Sequence, residues 1–172
     1  NDLPTMGSYL TRHLLTAAYT TIATLQAATV PTVNKQRIFV GGVATDGDGG
    51  GGWFTYDSTN SITSDGYMIV APNSGPGRYL REYDGPLNVL WFGAKGDGVT
   101  DDAAAVQRAI DWANTPTYGY GANAYGSSTT LGVYCPPGRY LTGSTITLKG
   151  VDIFGTWGGK GDWNSHTVFV CG

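Results

Sequence analysis

The sequence predicts a mainly β chain with two helices, and three observations predict it. Between Arg37 and Tyr83, four β-rich segments (Arg37–Val40, Trp53–Tyr56, Tyr67–Val70 and Arg78–Tyr83) are separated by clusters of glycine, Asp, Asn and Ser, the pattern of a small antiparallel unit of hairpins. From Val89 to Ala113, an apolar run ending at Phe92 turns through Gly93, Gly96 and Gly98 into helical spacing, with Val106, Ala109, Ile110 and Ala113 on one face. Beyond Pro137, apolar pairs two residues apart recur: Ile146 and Leu148, Val151 and Ile153, Val168 and Val170. Residues two apart share one face of a strand, so these pairs can point into one core and stack from coil to coil.

The first helix is expected over Ser8–Thr29, where Leu15, Ala18, Ile22 and Leu25 recur at three- and four-residue steps and Leu10 and Leu14 widen the stripe. Its many threonines lose rotamer freedom in a helix, so it needs something to pack on. Two readings stay open: a three-chain helical stem, or a single helix lying on its own β domain. Pro31 ends it. The Asp46–Gly52 run lacks the Gly-Lys-Ser/Thr of a phosphate loop and the closing glutamate of an EF-hand, so it reads as a loop. At the second helix, Thr100 or Asp101 can cap the first free N–H groups, and Asp101 and Asp102 bring negative charge to the positive end of the dipole.

The run Val89–Ile110, taken with Val133-Tyr134-Cys135-Pro136-Pro137-Gly138-Arg139-Tyr140-Leu141, resembles the start of the pectate-lyase-like right-handed parallel β-helix of bacteriophage tailspikes and depolymerases. The resemblance implies that Phe92, Gly93, Lys95, Gly96, Asp97, Gly98 and Asp102 form the turn and helix start. It also implies that the helix plugs the open end of the β-helix and that Pro136, Pro137 and Gly138 open the first coil. Val30–Asp84 resembles, more loosely, the small β domain that precedes this turn in many tailspikes. The expected organisation is therefore a helical stem over residues 1–30, a small β domain over 31–86, and the helix-capped first coils of the β-helix over 87–172.

With 172 residues, 41% hydrophobic and 13% charged, the chain is too apolar to be disordered. A formal net charge of -3 and the absence of any cationic run argue against a nucleic-acid surface. No stretch approaches the ~20 apolar residues of a membrane span, and no signal-peptide core is visible. Cys135 and Cys171 are too few for a disulfide framework and are expected as buried thiols, with a disulfide or metal pair as the alternative. His13 and His166 alone cannot build a histidine-rich metal site, so no metal or cofactor is expected. The chain stops directly after the strand-like run Thr167–Cys171, and the expectation is that it belongs to something longer with about two coils here. The unpaired edge of the last coil is expected to pack against identical copies.

Sugar cleavage needs two carboxylates about 5–9.5 Å apart across a glycosidic bond. Asp97, Asp101 and Asp102 are better explained by turn and cap geometry, leaving Asp152, which alternation points outward, and Asp162 in the loop Trp157–Trp163 as weak candidates. The loop Thr115–Leu131 presents Tyr118, Tyr120 and Tyr125, which with Trp157 and Trp163 can contact a sugar or a neighbouring subunit. The resemblance implies the N-terminal part of a homotrimeric tailspike on the virion tail, assembled in the host cytoplasm. Such a part attaches to a baseplate or adaptor protein, and missing downstream coils degrade capsule, O-antigen or exopolysaccharide. A cellular pectate-lyase-like or polygalacturonase-like enzyme and a non-catalytic carbohydrate-binding module are the alternatives.

Overall fold

The computed structural model describes residues 17–115, 131–156 and 167–171. The chain divides into two compact units: described residues up to Asp46 together with Gly51–Glu82, and Gly47–Gly50 together with the residues from Tyr83 onward.

The first unit is a five-stranded sheet in the order β1-β2-β3-β5-β4, built from β1 (Ala17–Thr21), β2 (Arg37–Gly42), β3 (Gly52–Asp57), β4 (Ile69–Val70) and β5 (Arg78–Arg81). β2, β3, β5 and β4 pair antiparallel as the hairpin pattern predicts, whereas β1 pairs parallel to β2. Alternation sets the faces: Ile38 and Val40, Phe54 and Tyr56, and Tyr79 turn inward, joined by Val70, Ile22 and Leu25. The Tyr56 and Tyr79 rings meet at 5.2 Å, and the Tyr56 hydroxyl donates to the Pro76 carbonyl. Arg81 is buried with its guanidinium over the Phe54 ring and donates to the carbonyls of Tyr67 and Gly51.

The N-terminal helix is shorter than its spacing predicts. Residues 17–21 are strand, Ala18 is exposed, and α1 runs only from Ile22 to Ala27. The open edge of β2 supplies β1 with a ladder partner, and strand geometry suits Tyr19, Thr20 and Thr21 better than a helix does. The threonines act as caps instead. Thr21 Oγ1 accepts from Thr24 N at 3.2 Å while Thr24 Oγ1 accepts from Thr21 N at 2.9 Å, a reciprocal capping box. Ile22 and Leu25 are buried in the core of their own sheet, the single-helix alternative for these two residues. Leu10, Leu14 and Leu15 of the expected stem lie outside the described residues.

The second unit consists of two parallel three-stranded sheets. β6 (Leu87–Asn88), β8 (Val133–Cys135) and β10 (Ile153–Gly155) stack in one; β7 (Asp97–Asp101), β9 (Gly138–Thr142) and β11 (Thr167–Cys171) stack in the other. Successive coils thus place Leu87, Val133 and Ile153 in one register column and Tyr140 with Phe169 in another. About two coils are expected from sequence, but β6 and β7, which flank the glycine turn ahead of the helix, supply an additional first rung. The apolar run Val89–Phe92, expected from sequence as a strand, is instead a 3-10 turn, and the strand β6 lies just before it at Leu87–Asn88; the turn forms because Asn88 Oδ1 takes the Leu90 N–H at 2.9 Å and Gly93, at φ 89°, closes it.

The helix α2 (Ala103–Ala113) buries the expected Val106, Ala109, Ile110 and Ala113, together with Ala103, Ala105 and Trp112, and packs on the 3-10 turn, β6, β8 and β9. Its small residues allow close approach to these neighbours. Ile146 and Leu148 depart from the strand expectation: they lie in an irregular segment, and Leu148 is 51% exposed. Lys149 and Gly150 both take positive φ there, and the Val151 N–H closes the turn on the Leu148 carbonyl at 2.9 Å. The Gln107 side chain holds this segment to α2, accepting from Thr147 N at 2.8 Å and donating to Thr147 O at 3.1 Å.

Candidate functional site

The turn between the 3-10 turn and α2 is held by three carboxylates, each satisfied by backbone. Asp97 Oδ1 accepts from Thr100 N at 2.7 Å and Val99 N at 2.9 Å, and the Thr100 hydroxyl donates to Oδ2. Those bonds, the Thr100 backbone bond first, pull the Asp97 carboxyl down to about 2. Asp101 Oδ1 accepts from Ala103 N and from Gly143 N, which hold its carboxyl below the ordinary value. Asp102 is 1% exposed, and its two oxygens take the Lys95 and Gly96 N–H groups at 2.7 and 2.9 Å. The cap expectation therefore holds for Asp101 and not for Thr100, whose hydroxyl is spent on Asp97. Asp102 faces the preceding turn and makes no side-chain bond to the helix start. A nearby backbone donor pair competes better for its carboxylate than the diffuse helix dipole does.

Gly96 and β9 meet closely. The Gly96 carbonyl accepts from Arg139 N at 2.8 Å, a Cβ on Gly96 would lie 3.1 Å from the Tyr140 ring, and one on Gly138 would lie 3.0 Å from the Gly96 carbonyl oxygen. Pro136 and exposed Pro137 make the corner between β8 and β9, and the Pro136 carbonyl accepts from the Tyr140 hydroxyl at 3.0 Å. Thr167 Oγ1 on the next coil donates to the Cys135 carbonyl at 2.7 Å. Phe92 is buried, and its carbonyl accepts from Arg108 at 2.9 Å. Burial pushes the Cys135 thiol up to about 12.

Of the sequence's two acid candidates, only Asp152 lies among the described residues. Asp152 is exposed between buried Val151 and half-buried Ile153, as alternation predicts, and its backbone carbonyl accepts from Val133 N. Asp162, Tyr118, Tyr120, Tyr125, Trp157 and Trp163 lie outside the described residues, as does His166. Among the described residues there is no cluster of three or more His, Cys, Asp or Glu side chains that could hold a metal.

A groove of about 520 Å³ opens beside the third rung, lined by the 142–148 segment, Ile153 and Phe169. An adjoining hollow of about 320 Å³ is lined by Gly155, Thr156 and Thr167 with the same Ile153 and Phe169. Among the described residues, hydroxyl and apolar groups line both, and no carboxylate does. Sequence reading missed this groove because one wall comes from the 142–148 segment, whose Ile146 and Leu148 look like a strand in the apolar pattern. It also missed Gln107, whose polar side chain gives no periodic signal.

The geometry matches known proteins in both units. Residues 18–84 match the family model of the phage tail protein small four-stranded beta-sheet domain, and residues 87–170 match that of rhamnogalacturonase A/epimerase, pectate lyase-like. The tailspike of Acinetobacter baumannii phage AM24 superposes at a TM-score of 0.57 with 24% identity, over 82% of this chain and 20% of that one. The chain has the fold of phage tailspikes. A second tailspike, gp49 of Acinetobacter baumannii bacteriophage Fri1, a capsular polysaccharide depolymerase, gives a TM-score of 0.59 with 16% identity, over 83% of this chain and 24% of that one. A non-secreted LysM effector of Penicillium expansum is 40% identical over 91 residues, 51% of this chain and 6% of that protein. The chain thus spans about a fifth to a quarter of these two tailspikes, and a far smaller part of the fungal relative.

Proposed function

We propose that this chain is the N-terminal part of a homotrimeric phage tailspike. It would attach the spike to the virion tail through a baseplate or adaptor protein and start a β-helix whose further coils bind and degrade a bacterial surface polysaccharide. The observation that carries the reading is the order of two units in one chain: a sheet matching a phage-tail β domain, followed by parallel coils that begin at a glycine turn and a packed helix. In this reading α2 covers the first rung as a plug, and the expected division into stem, β domain and β-helix start describes three successive tasks. The phage-tail domain favours this assignment over a cellular pectate-lyase-like enzyme, which has no use for a tail module.

Catalysis belongs to the further coils. Asp97, Asp101 and Asp102 are engaged by backbone N–H groups, and general acid–base work needs a carboxyl free to exchange its proton with a substrate. The groove beside Ile153 and Phe169 is the seat of the next coil: an apolar floor at the growing end of two parallel sheets, whose outer strands β10 and β11 would receive the next rung. Light scattering across a concentration range tests the assembly. A mass three times that of the chain is expected, and a folded monomer at every concentration would remove the homotrimer from the reading.

A further inference from the structure

The contacts around Asp102 form a closed circuit. Its carboxylate holds Lys95 N and Gly96 N, the Gly96 carbonyl holds Arg139 N, and the Leu141 carbonyl holds Asp102 N at 2.8 Å. The turn and the helix start are thus each tied to β9 by one backbone bond and to each other by one buried side chain. Between those two ties the register of β7 on β9 slips: Asp97 pairs with Arg139 and Asp101 with Leu141, so five residues of β7 face three of β9. The excess bulges outward, closed by the Asp97 bonds, and carries Val99 at 81% exposure. A ladder with such a slip does not fix its own register, because a bulge one residue longer or shorter leaves the same backbone groups to pair.

We propose that Asp102 acts as an internal anion ligand: its seating in the two-donor nest of Lys95 and Gly96 selects the register in which β9 receives β7 and α2, and the first coil closes only when the seat is filled. The device is conformational, and it stands whether or not the chain forms a trimer. Only an acceptor-only, two-oxygen group of carboxylate size meets both donors at once; an amide presents an NH₂ to one of them.

The test is chemical rescue. Asp102→Ala leaves two part-buried donors without their carboxylate and a carboxylate-sized space, and its melting temperature should fall by about 5–15 °C. Sodium formate, against sodium chloride at equal ionic strength, should recover a large part of that fall in Asp102→Ala while leaving wild type and Asp102→Asn unmoved. Equal shifts in all three proteins, or none in Asp102→Ala, would overturn the proposal. Should Asp102→Ala fail to fold, hydrogen exchange on the wild-type chain decides. The Lys95 and Gly96 amides are expected to exchange with the slow β9 amides, and exchange at the rate of an exposed turn would overturn the clasp.

Discussion

The ring of Phe169 lies 5.7 Å, centroid to centroid, from that of Tyr140, its register partner on the preceding coil. Tyr140 is fully buried between Gly96 and Phe169, whereas Phe169 is 41% exposed with its outer side facing the groove. Tyr140→Ala should therefore cost about 3–5 kcal/mol, and Phe169→Ala clearly less than half of that, since truncating a side chain costs more the more completely its neighbours enclose it. Urea unfolding of the two variants checks the ratio. Equal losses would mean that Phe169 is covered in solution by a neighbouring copy.

Gly96→Ala carries two penalties and Gly85→Ala one. Both positions have positive φ, 62° and 88°, but a Cβ at Gly85 meets nothing within 4 Å, while one at Gly96 meets the Tyr140 ring at 3.1 Å. The expected losses are about 1–2 kcal/mol at Gly85 for the left-handed backbone, and about 2–5 kcal/mol at Gly96 once overpacking is added. Denaturant midpoints compare them within the same unit.

Acid stability should depend on Asp97. Its folded-state carboxyl sits at about 2, below the about 3.9 of an unfolded chain, so the unfolded state binds more protons between those values. The contribution is present above about pH 4 and is lost as the pH falls towards 2. Asp97→Asn should flatten that part of the stability-against-pH curve while leaving its shape above pH 5 unchanged. An identical acid limb in both proteins would contradict the bonding at the bulge.

Leu25→Ala should destabilise the first unit by about 2–5 kcal/mol, as expected for a fully buried leucine. Because Leu25 packs on its own sheet, the loss should be the same at every protein concentration. A loss that deepens on dilution would place Leu25 in a seam between chains.

The Cys135 thiol should resist alkylation in the folded protein. At about 12 its thiolate fraction near neutral pH is negligible, and the side chain is buried. In a Cys171→Ser background, labelling with iodoacetamide should follow the rate of unfolding in urea. Labelling at the free-thiol rate without denaturant would contradict the burial.

The sequence by itself determined the hairpin strands of the first unit, the glycine turn and the second helix. β-rich runs between turn-forming clusters placed β2, β3 and β5, the 3.6-residue spacing picked the buried face of α2, and glycines marked the turn, because each of these is written in neighbouring residues. It did not show that residues 17–21 are strand, since the same Ala, Tyr and Thr fit a weak helix until the β2 edge offers them a ladder. It took the pair Ile146 and Leu148 for a strand, since their apolar spacing says nothing of the Gln107 amide that holds Thr147 from another element. It read Asp102 as helix-start chemistry, whereas the folded chain turns that carboxylate to Lys95 and Gly96. What tertiary structure alone decided is which partner each polar group takes, because a hydrogen bond depends on groups brought within about 3 Å by the whole fold, and local spacing carries no record of them.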